Sequence, residues 1–475
     1  MRLACGLAAV ASLGLWGTLA LLRLRFTPAI DYGEGLLLHA AQQFQAGVFP
    51  YSWEASLPYV PVVYGPLYPL VWALILPWTG PVLWGGRLIA VLGALACAGW
   101  LAFTVRRLTG RWLEAAVAAG LFLWSGPSVA WTALARVDFP ALALGLGGLA
   151  LFLFAAPRYR VVGTALFFLA LLTRQTMLAA PLVAYLHLYR EGDRKTAALH
   201  ALALFGLVLG ALAVLQVGSH GGFWREAVAG NVCPWQWERL RWLGGFMVRR
   251  SPLLLVVGVV GVPLLWRRTP QMWALSVYAV IALLSMVLGA KQGAGRNYLL
   301  EAVWACALIM ALALSPRLLW REPRRWQLWL PAVLILLQFG LLYRAPGLYT
   351  DLSRGSDPIM DAALIEAVRA EPGEVLSENL GAAVAAGKRV WVEPSTTTQM
   401  AWADRWDQEP LLEMIRQHRF GLVVTSTPLG PPHAGFWGYA DRWTAEEGQA
   451  LEANYAPGER LGIWQLWRPV PQVSH

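Results

Sequence analysis

The sequence predicts a polytopic α-helical membrane protein carrying a small C-terminal α/β domain. Three observations support this. Hydrophobic residues make up 57% of the 475-residue chain and charged residues only 14%, with a mean hydropathy of +0.50. An ordinary soluble domain is about 45–50% apolar and about 25% charged. Apolar runs separated by charged punctuation recur through residues 1–345 and give about eleven transmembrane helices. Residues 351–475 then become polar and mixed in charge.

Taken in order, the expected helices lie near 3–24, 87–105, 113–131, 139–155, 161–173, 177–190, 197–217, 252–266, 272–289, 299–314 and 328–343. The first has no small-x-small cleavage site, so it reads as a retained span rather than a signal peptide. Pro66 to Trp78 is apolar but short and interrupted by proline, and reads as an interfacial or re-entrant helix. The 26 Trp residues suit a chain with many membrane–water crossings.

The charge pattern sets an expected orientation. With a cytoplasmic N-terminus, the inside loops hold Arg106, Arg107 and Arg111, then Arg158 and Arg160, Arg190 to Lys195, Arg267 and Arg268, and Arg317 to Arg325. The outside loops are 25–86, 132–138, 174–176, 218–251 and 290–298; the fourth runs against the trend with several arginines. This places the chain in the inner (cytoplasmic) membrane with the C-terminal domain extracytoplasmic. The net charge of +10 follows from basic loops and calls for no nucleic-acid partner.

In the C-terminal region, Val375 to Glu378, Arg389 to Val392, Phe420 to Ser426 and Gly462 to Arg468 read as short strands. Asp361 to Ala370, Pro410 to His418 and Thr444 to Tyr455 read as helices. The last opens with a Thr cap and Glu447 three residues on. Cys5, Cys97 and Cys306 fall in apolar spans and Cys233 stands alone in a loop, so no disulfide framework is expected.

Residues 31–35 read Asp-Tyr-Gly-Glu-Gly, directly behind the first span and with no nearby Lys or Arg. Acid groups placed there are functional candidates. Asp31 and Glu34 have a bland reading as acids favouring a helix N-terminus. Their sharper reading is a general base that takes the proton of a sugar-acceptor hydroxyl. Arg136 and Asp138, at the outer end of the third span, either neutralise each other or pair Asp138 with the first loop across a cavity. Arg174 ends the fifth span; Lys291, Gly295, Arg296, Asn297 and Tyr298 end the ninth. Both groups read either as snorkelling anchors or as a clamp on a lipid phosphate. Tyr64 lies in the aromatic, proline-rich stretch from Tyr59 to Pro69, which reads equally as groove wall or rigid surface loop. No His/Cys/Asp/Glu spacing indicates a metal, and no cofactor is called for, although a divalent metal stays an open alternative.

On these motifs, residues 1–345 resemble the GT-C superfamily of integral-membrane glycosyltransferases, with protein O-mannosyltransferases and the bacterial lipid A aminoarabinose transferase as the nearest look-alikes. The likeness rests on the acidic motif after the first span and a helix ending at Gly47. It continues through Tyr64-Gly65-Pro66-Leu67, Gly86-Arg87-Leu88, Arg107 to Arg111 and the Arg136–Asp138 loop. The resemblance implies transfer of a sugar from a polyprenyl-phosphate carrier to a lipid, glycan or protein acceptor outside the membrane. It makes Asp31 the base and Asp138 a second acid of the outer cavity. Such families often carry an adjacent Asp-Glu pair, which Tyr32 and Gly33 split here, so Glu34 is an alternative base. Arg174, Lys291 and Arg296 are the expected donor-phosphate ligands, with Arg136, Tyr64, Asn297 and Tyr298 in support. A flippase of lipid-linked sugars would instead favour mid-membrane ionisable groups and inverted repeats. A non-catalytic scaffold would leave the acids without a role.

Overall fold

The computed structural model describes residues 1–27, 29–52, 54, 56–266, 268–320, 322–343, 358–426, 429 and 442–471, with side chains of the helix at 358–370 described from 362 onward. Arg267 of the expected basic loops and the 346–350 boundary between the expected domains lie outside these residues.

Every expected apolar segment coincides with helix. In chain order the helices are α1 (Arg2–Arg25), α2 (Tyr32–Gln45), α3 (Leu67–Thr79), α4 (Leu83–Thr109), α5 (Trp112–Leu123), α6 (Gly126–Trp131), α7 (Asp138–Phe154), α8 (Arg160–Thr173), α9 (Ala179–Arg190) and α10 (Arg194–Gly218). They continue with α11 (Trp237–Arg250), α12 (Pro252–Leu265), α13 (Pro270–Ser285), α14 (Leu300–Leu312), α15 (Pro316–Leu319) and α16 (Arg325–Tyr343). Five of these helical segments are long and apolar enough to cross a membrane, or six if the α11–α12 pair, bent by 99°, forms one span. That is fewer than the eleven expected. α3, α5 and α7 are shorter apolar helices of 13, 12 and 17 residues. α3, the expected interfacial helix, is a 13-residue apolar helix. The largest core is built where α4, α5, α7 and α14 pack together, with Phe122, Phe139, Ala305 and Leu308 almost wholly buried.

The C-terminal part adds α17 (Pro358–Ala370), β1 (Glu374–Ser377), α18 (Leu380–Ala385), α19 (Pro394–Trp402), α20 (Glu409–Arg416), β2 (Phe420–Ser426), α21 (Ala445–Asn454), β3 (Tyr455–Leu461) and β4 (Trp464–Pro469). The sheet order is β1-β2-β4-β3. β1 and β2 are parallel, and β4 runs antiparallel to both of its neighbours. α21 starts with the expected capping box of Thr444 and Glu447.

Two expectations fail here. Arg389 to Val392 does not join the sheet. Val392 instead bridges Tyr59 of the first long loop, whose N–H donates to the Trp391 carbonyl at 2.7 Å. β3 was not expected, because Pro457, Gly458 and an exposed polar edge hide its alternation.

The two parts share a core. Leu36, Leu37 and Leu38 of α2 are buried with Leu380, Ala383 and Val384 of α18. Gly35 makes the approach feasible, since a Cβ there would overlap the backbone at Gly381.

Candidate active site

The site begins at the N-terminus of α2. Asp31 is its cap in extended conformation, accepting the Gly33 N–H at 3.1 Å, and Glu34 completes a capping box by accepting the Asp31 N–H at 3.2 Å. The two acids then diverge. Glu34 is wholly buried and receives Arg87 in a fork, Nε to Oε1 at 2.8 Å and Nη2 to Oε2 at 2.9 Å. It also accepts the Ala135 N–H at 2.8 Å and the Ile30 N–H at 2.7 Å. Burial would raise its pKa, but Arg87 and these amides hold it below the usual carboxylate range. Glu34 does not line the cavity described next.

Asp31 does. Its carboxylate is 19% exposed and pairs with Arg136 Nη1 at 2.9 Å. Burial pushes its pKa above the ordinary value, against the opposing pull of Arg136. Arg136 Nη2 donates to the Tyr64 hydroxyl at 2.7 Å. The same guanidinium lies 5.5 Å from the Tyr32 ring centroid and 5.4 Å from that of Tyr64. Gly33 is essential to this seat, because a Cβ there would overlap the guanidinium.

Arg136 and Asp138 therefore do not neutralise each other. Nor does Asp138 reach the first loop, as the sequence suggested; Arg136 does. Asp138, only 1% exposed, sits behind the cavity wall as a hub. Its Oδ1 takes Arg174 Nη1 at 2.8 Å and Asn297 Nδ2 at 2.7 Å, and its Oδ2 takes Trp131 Nε1 at 2.7 Å. The α8 end, the α7 start and the 291–298 turn are thus tied to one carboxylate.

These groups surround a cavity of about 780 Å³. Eight of the ten residues singled out from sequence line it: Asp31, Tyr64, Arg136, Arg174, Lys291, Arg296, Asn297 and Tyr298. Glu34 and Asp138 do not. Lys291 Nζ donates to Asn231 Oδ1 at 2.8 Å. Arg174 lies 4.7 Å from the Tyr298 ring centroid, and Arg296 4.5 Å from that of Phe246. Gly293 has φ +79°, and a Cβ at Gly295 would stand 2.7 Å from the Trp131 ring. Two glycines thus let this turn fold against the wall. Three apolar lining residues, Val232, Trp235 and Leu288, are 62%, 44% and 47% exposed.

The sequence did not single out Tyr32, Asn231, Arg239 or the lining residues of the C-terminal domain, Ser395, Thr396, Gln399 and Arg442. Tyr32 lay inside the acidic motif and was the one signal at hand. The others come from segments that carry no local pattern. Among the described residues no group of three or more His, Cys, Asp or Glu could hold a metal ion. Asp31 and Asp138 each face an arginine rather than further ligands.

The architecture is that of a known class: the chain shares its fold with solved structures of GT-C glycosyltransferases. The likeness runs nearly end to end with ArnT from Cupriavidus metallidurans, a lipid A aminoarabinose transferase. Its apo structure matches with a TM-score of 0.61 and 12% identity over 97% of both chains. Its complex with undecaprenyl phosphate matches with a TM-score of 0.61 and 13% identity over 98% of both. The archaeal oligosaccharyltransferase AglB from Archaeoglobus fulgidus, in complex with an inhibitory peptide and a dolichol-phosphate, gives 0.52 at 12% identity over 97% of this chain and 75% of that one. At these identities the likeness is one of fold. No family model and no curated protein sequence matches the chain.

Proposed function

We propose that the chain is a membrane glycosyltransferase moving a sugar from a polyprenyl-phosphate carrier to an acceptor on the outer side of the cytoplasmic membrane, with Asp31 as general base. The observation that carries this is the composition of one cavity. Asp31 is the single carboxylate among its described lining residues, which also include Arg174, Lys291 and Arg296 and the exposed apolar side chains of Val232, Trp235 and Leu288. A lipid phosphate needs all three features: cations for its charge, an apolar exit for its tail, and a base for the acceptor.

Arg136 and the Gly33 N–H both contact Asp31 Oδ1, so Oδ2 is the oxygen offered to an acceptor hydroxyl. As the acceptor's hydroxyl oxygen bonds to the anomeric carbon, the hydroxyl proton passes to Asp31 Oδ2. The bond from that carbon to the phosphate oxygen breaks, and the electron pair leaves with the phosphate. Negative charge grows on the leaving group, where Arg174, Lys291 and Arg296 stabilise it. Direct displacement inverts the anomeric centre. Glu34, with both oxygens taken, holds the α2 start in place. In a donor similar to those of the structural neighbours, the carrier is undecaprenyl or dolichol phosphate.

The test is mass spectrometry of envelope glycans and lipid-linked sugars from cells with and without the protein. The reading expects loss of one modification and build-up of one lipid-linked sugar in its absence. Unchanged profiles of both would refute it.

A further inference from the structure

Tyr32 interrupts the acidic pair and lines the cavity directly beside Asp31, yet the proposed chemistry gives it no task. Its ring is shared by two guanidinium groups. Arg136, the partner of Asp31, lies 5.5 Å from its centroid, and Arg442 of the C-terminal domain lies 5.5 Å from it as well. Arg442 is 7% exposed and held from behind. Glu378 Oε2 contacts its Nη1 at 3.1 Å, and its carbonyl accepts the Thr398 hydroxyl at 2.9 Å. Glu378 is itself fixed at the ends of β1 and β2, accepting the Ser426 N–H at 2.8 Å and the Trp443 indole N–H.

We infer that Arg442 is a positioning residue of the transfer site, by which the C-terminal domain fixes the helix start carrying Asp31 through the ring of Tyr32. This rests on the reading of Asp31 as base. The Arg442 guanidinium, held from behind by Glu378, lies over the Tyr32 ring. It is well suited to stack on a ring, since a planar cation over an aromatic face gains attraction without giving up its carboxylate partner. The Tyr32 ring then relays a rigid sheet edge to Arg136 and, through it, to Asp31. A small displacement of a reacting group costs up to about a hundredfold in rate, so this contact governs turnover rather than folding alone.

The experiment uses full-length protein in complemented cells, with turnover read as the modification formed per inserted molecule, and purified protein for thermal unfolding. Tyr32→Leu is expected to lower turnover by about 10–100-fold, whereas Tyr32→Phe, which keeps the ring, retains it. Arg442→Lys keeps a charge toward Glu378 and is expected to fold, yet to lose turnover as Tyr32→Leu does. A thermal double-mutant cycle of Tyr32→Leu with Arg442→Lys is expected to show non-additive effects. Wild-type turnover in Tyr32→Leu, an equal loss in Tyr32→Phe, or additive unfolding effects would each overturn the inference. Asp31→Asn runs beside them. If it is inactive while Tyr32→Leu is not impaired, positioning fails and the base stands. If Asp31→Asn keeps wild-type turnover, the base assignment fails first.

Discussion

At the scale of the residue, two acids three positions apart divide their labour because of what surrounds each. Glu34 meets a forked arginine and backbone amides. Asp31 meets one arginine and the cavity. The sequence showed both acids but not their partners. Arg87 lies 53 residues from Glu34, and no local pattern announces such a pairing. Glu34→Gln should therefore act on stability. Breaking one side of a buried ion pair costs about 3–5 kcal/mol, read as a lower unfolding temperature and reduced abundance of purified protein. Near-normal stability of Glu34→Gln with loss of turnover would instead return Glu34 to the chemistry. Gly33→Ala makes the complementary case. The added methyl displaces the Arg136 guanidinium, so turnover should fall sharply with the spans intact; undiminished turnover would contradict the seat assigned to Arg136. The raised pKa of Asp31 gives a sign as well. The base works ionised, so turnover should rise with pH along a limb displaced above the ordinary Asp value of 3.8. A limb at or below that value would deny it the role.

At the scale of the element, the 291–298 turn and the 224–228 segment shape the cavity. Lys291→Gln should weaken use of the lipid donor more than of the acceptor, seen as a higher KM for donor at little change in acceptor KM. The reverse split would move the donor phosphate elsewhere. Glu226 is the hidden member of the second segment. It lies in a single π-helical stretch, Trp224–Val228, and accepts the Ser52 N–H at 2.9 Å and the Val62 N–H at 2.7 Å, strapping down the first long loop. Burial pushes its carboxyl up from 4.5 to about 8. A folded-state pKa above the unfolded value means the native state binds the proton more tightly. This group's contribution is therefore complete below 4.5 and is lost as pH rises through about 8. Unfolding temperature should decline across that window, and Glu226→Gln should flatten the decline. An equal slope in both proteins would contradict it. The turn was legible because glycines and cations mark it. The strap was not, since one Glu in a loop carries no pattern.

At the scale of the whole molecule, hydropathy located the helices but did not fix how many of them span. Apolar composition does not reveal how long a helix continues or whether it bends, as α11 and α12 do by 99°. It also left the C-terminal domain without a role, although Ser395, Thr396, Gln399 and Arg442 wall the cavity. Those contacts arise from packing on α2 and from the Tyr59–Val392 bridge, both distant in sequence. The orientation is an expectation from the basic loops alone and is open to a direct test. With Cys233 replaced by Ser, and Cys5, Cys97 and Cys306 buried, a cysteine at exposed Glu459 should react with an impermeant maleimide in cells whose cytoplasm is sealed. Reaction only after the cytoplasmic side is opened would reverse the topology.

The central claim is that Asp31 takes the acceptor proton while a lipid phosphate departs. Its most direct test compares wild-type protein with Asp31→Asn in cells lacking the native chain, measuring lipid-linked sugar and transferred product together by mass spectrometry. Loss of a general base costs about 10²–10⁴ in rate. Asp31→Asn should therefore insert at wild-type levels, leave the lipid-linked sugar accumulated and yield almost no product. Full restoration of the product by Asp31→Asn, with no accumulated carrier, would contradict the account.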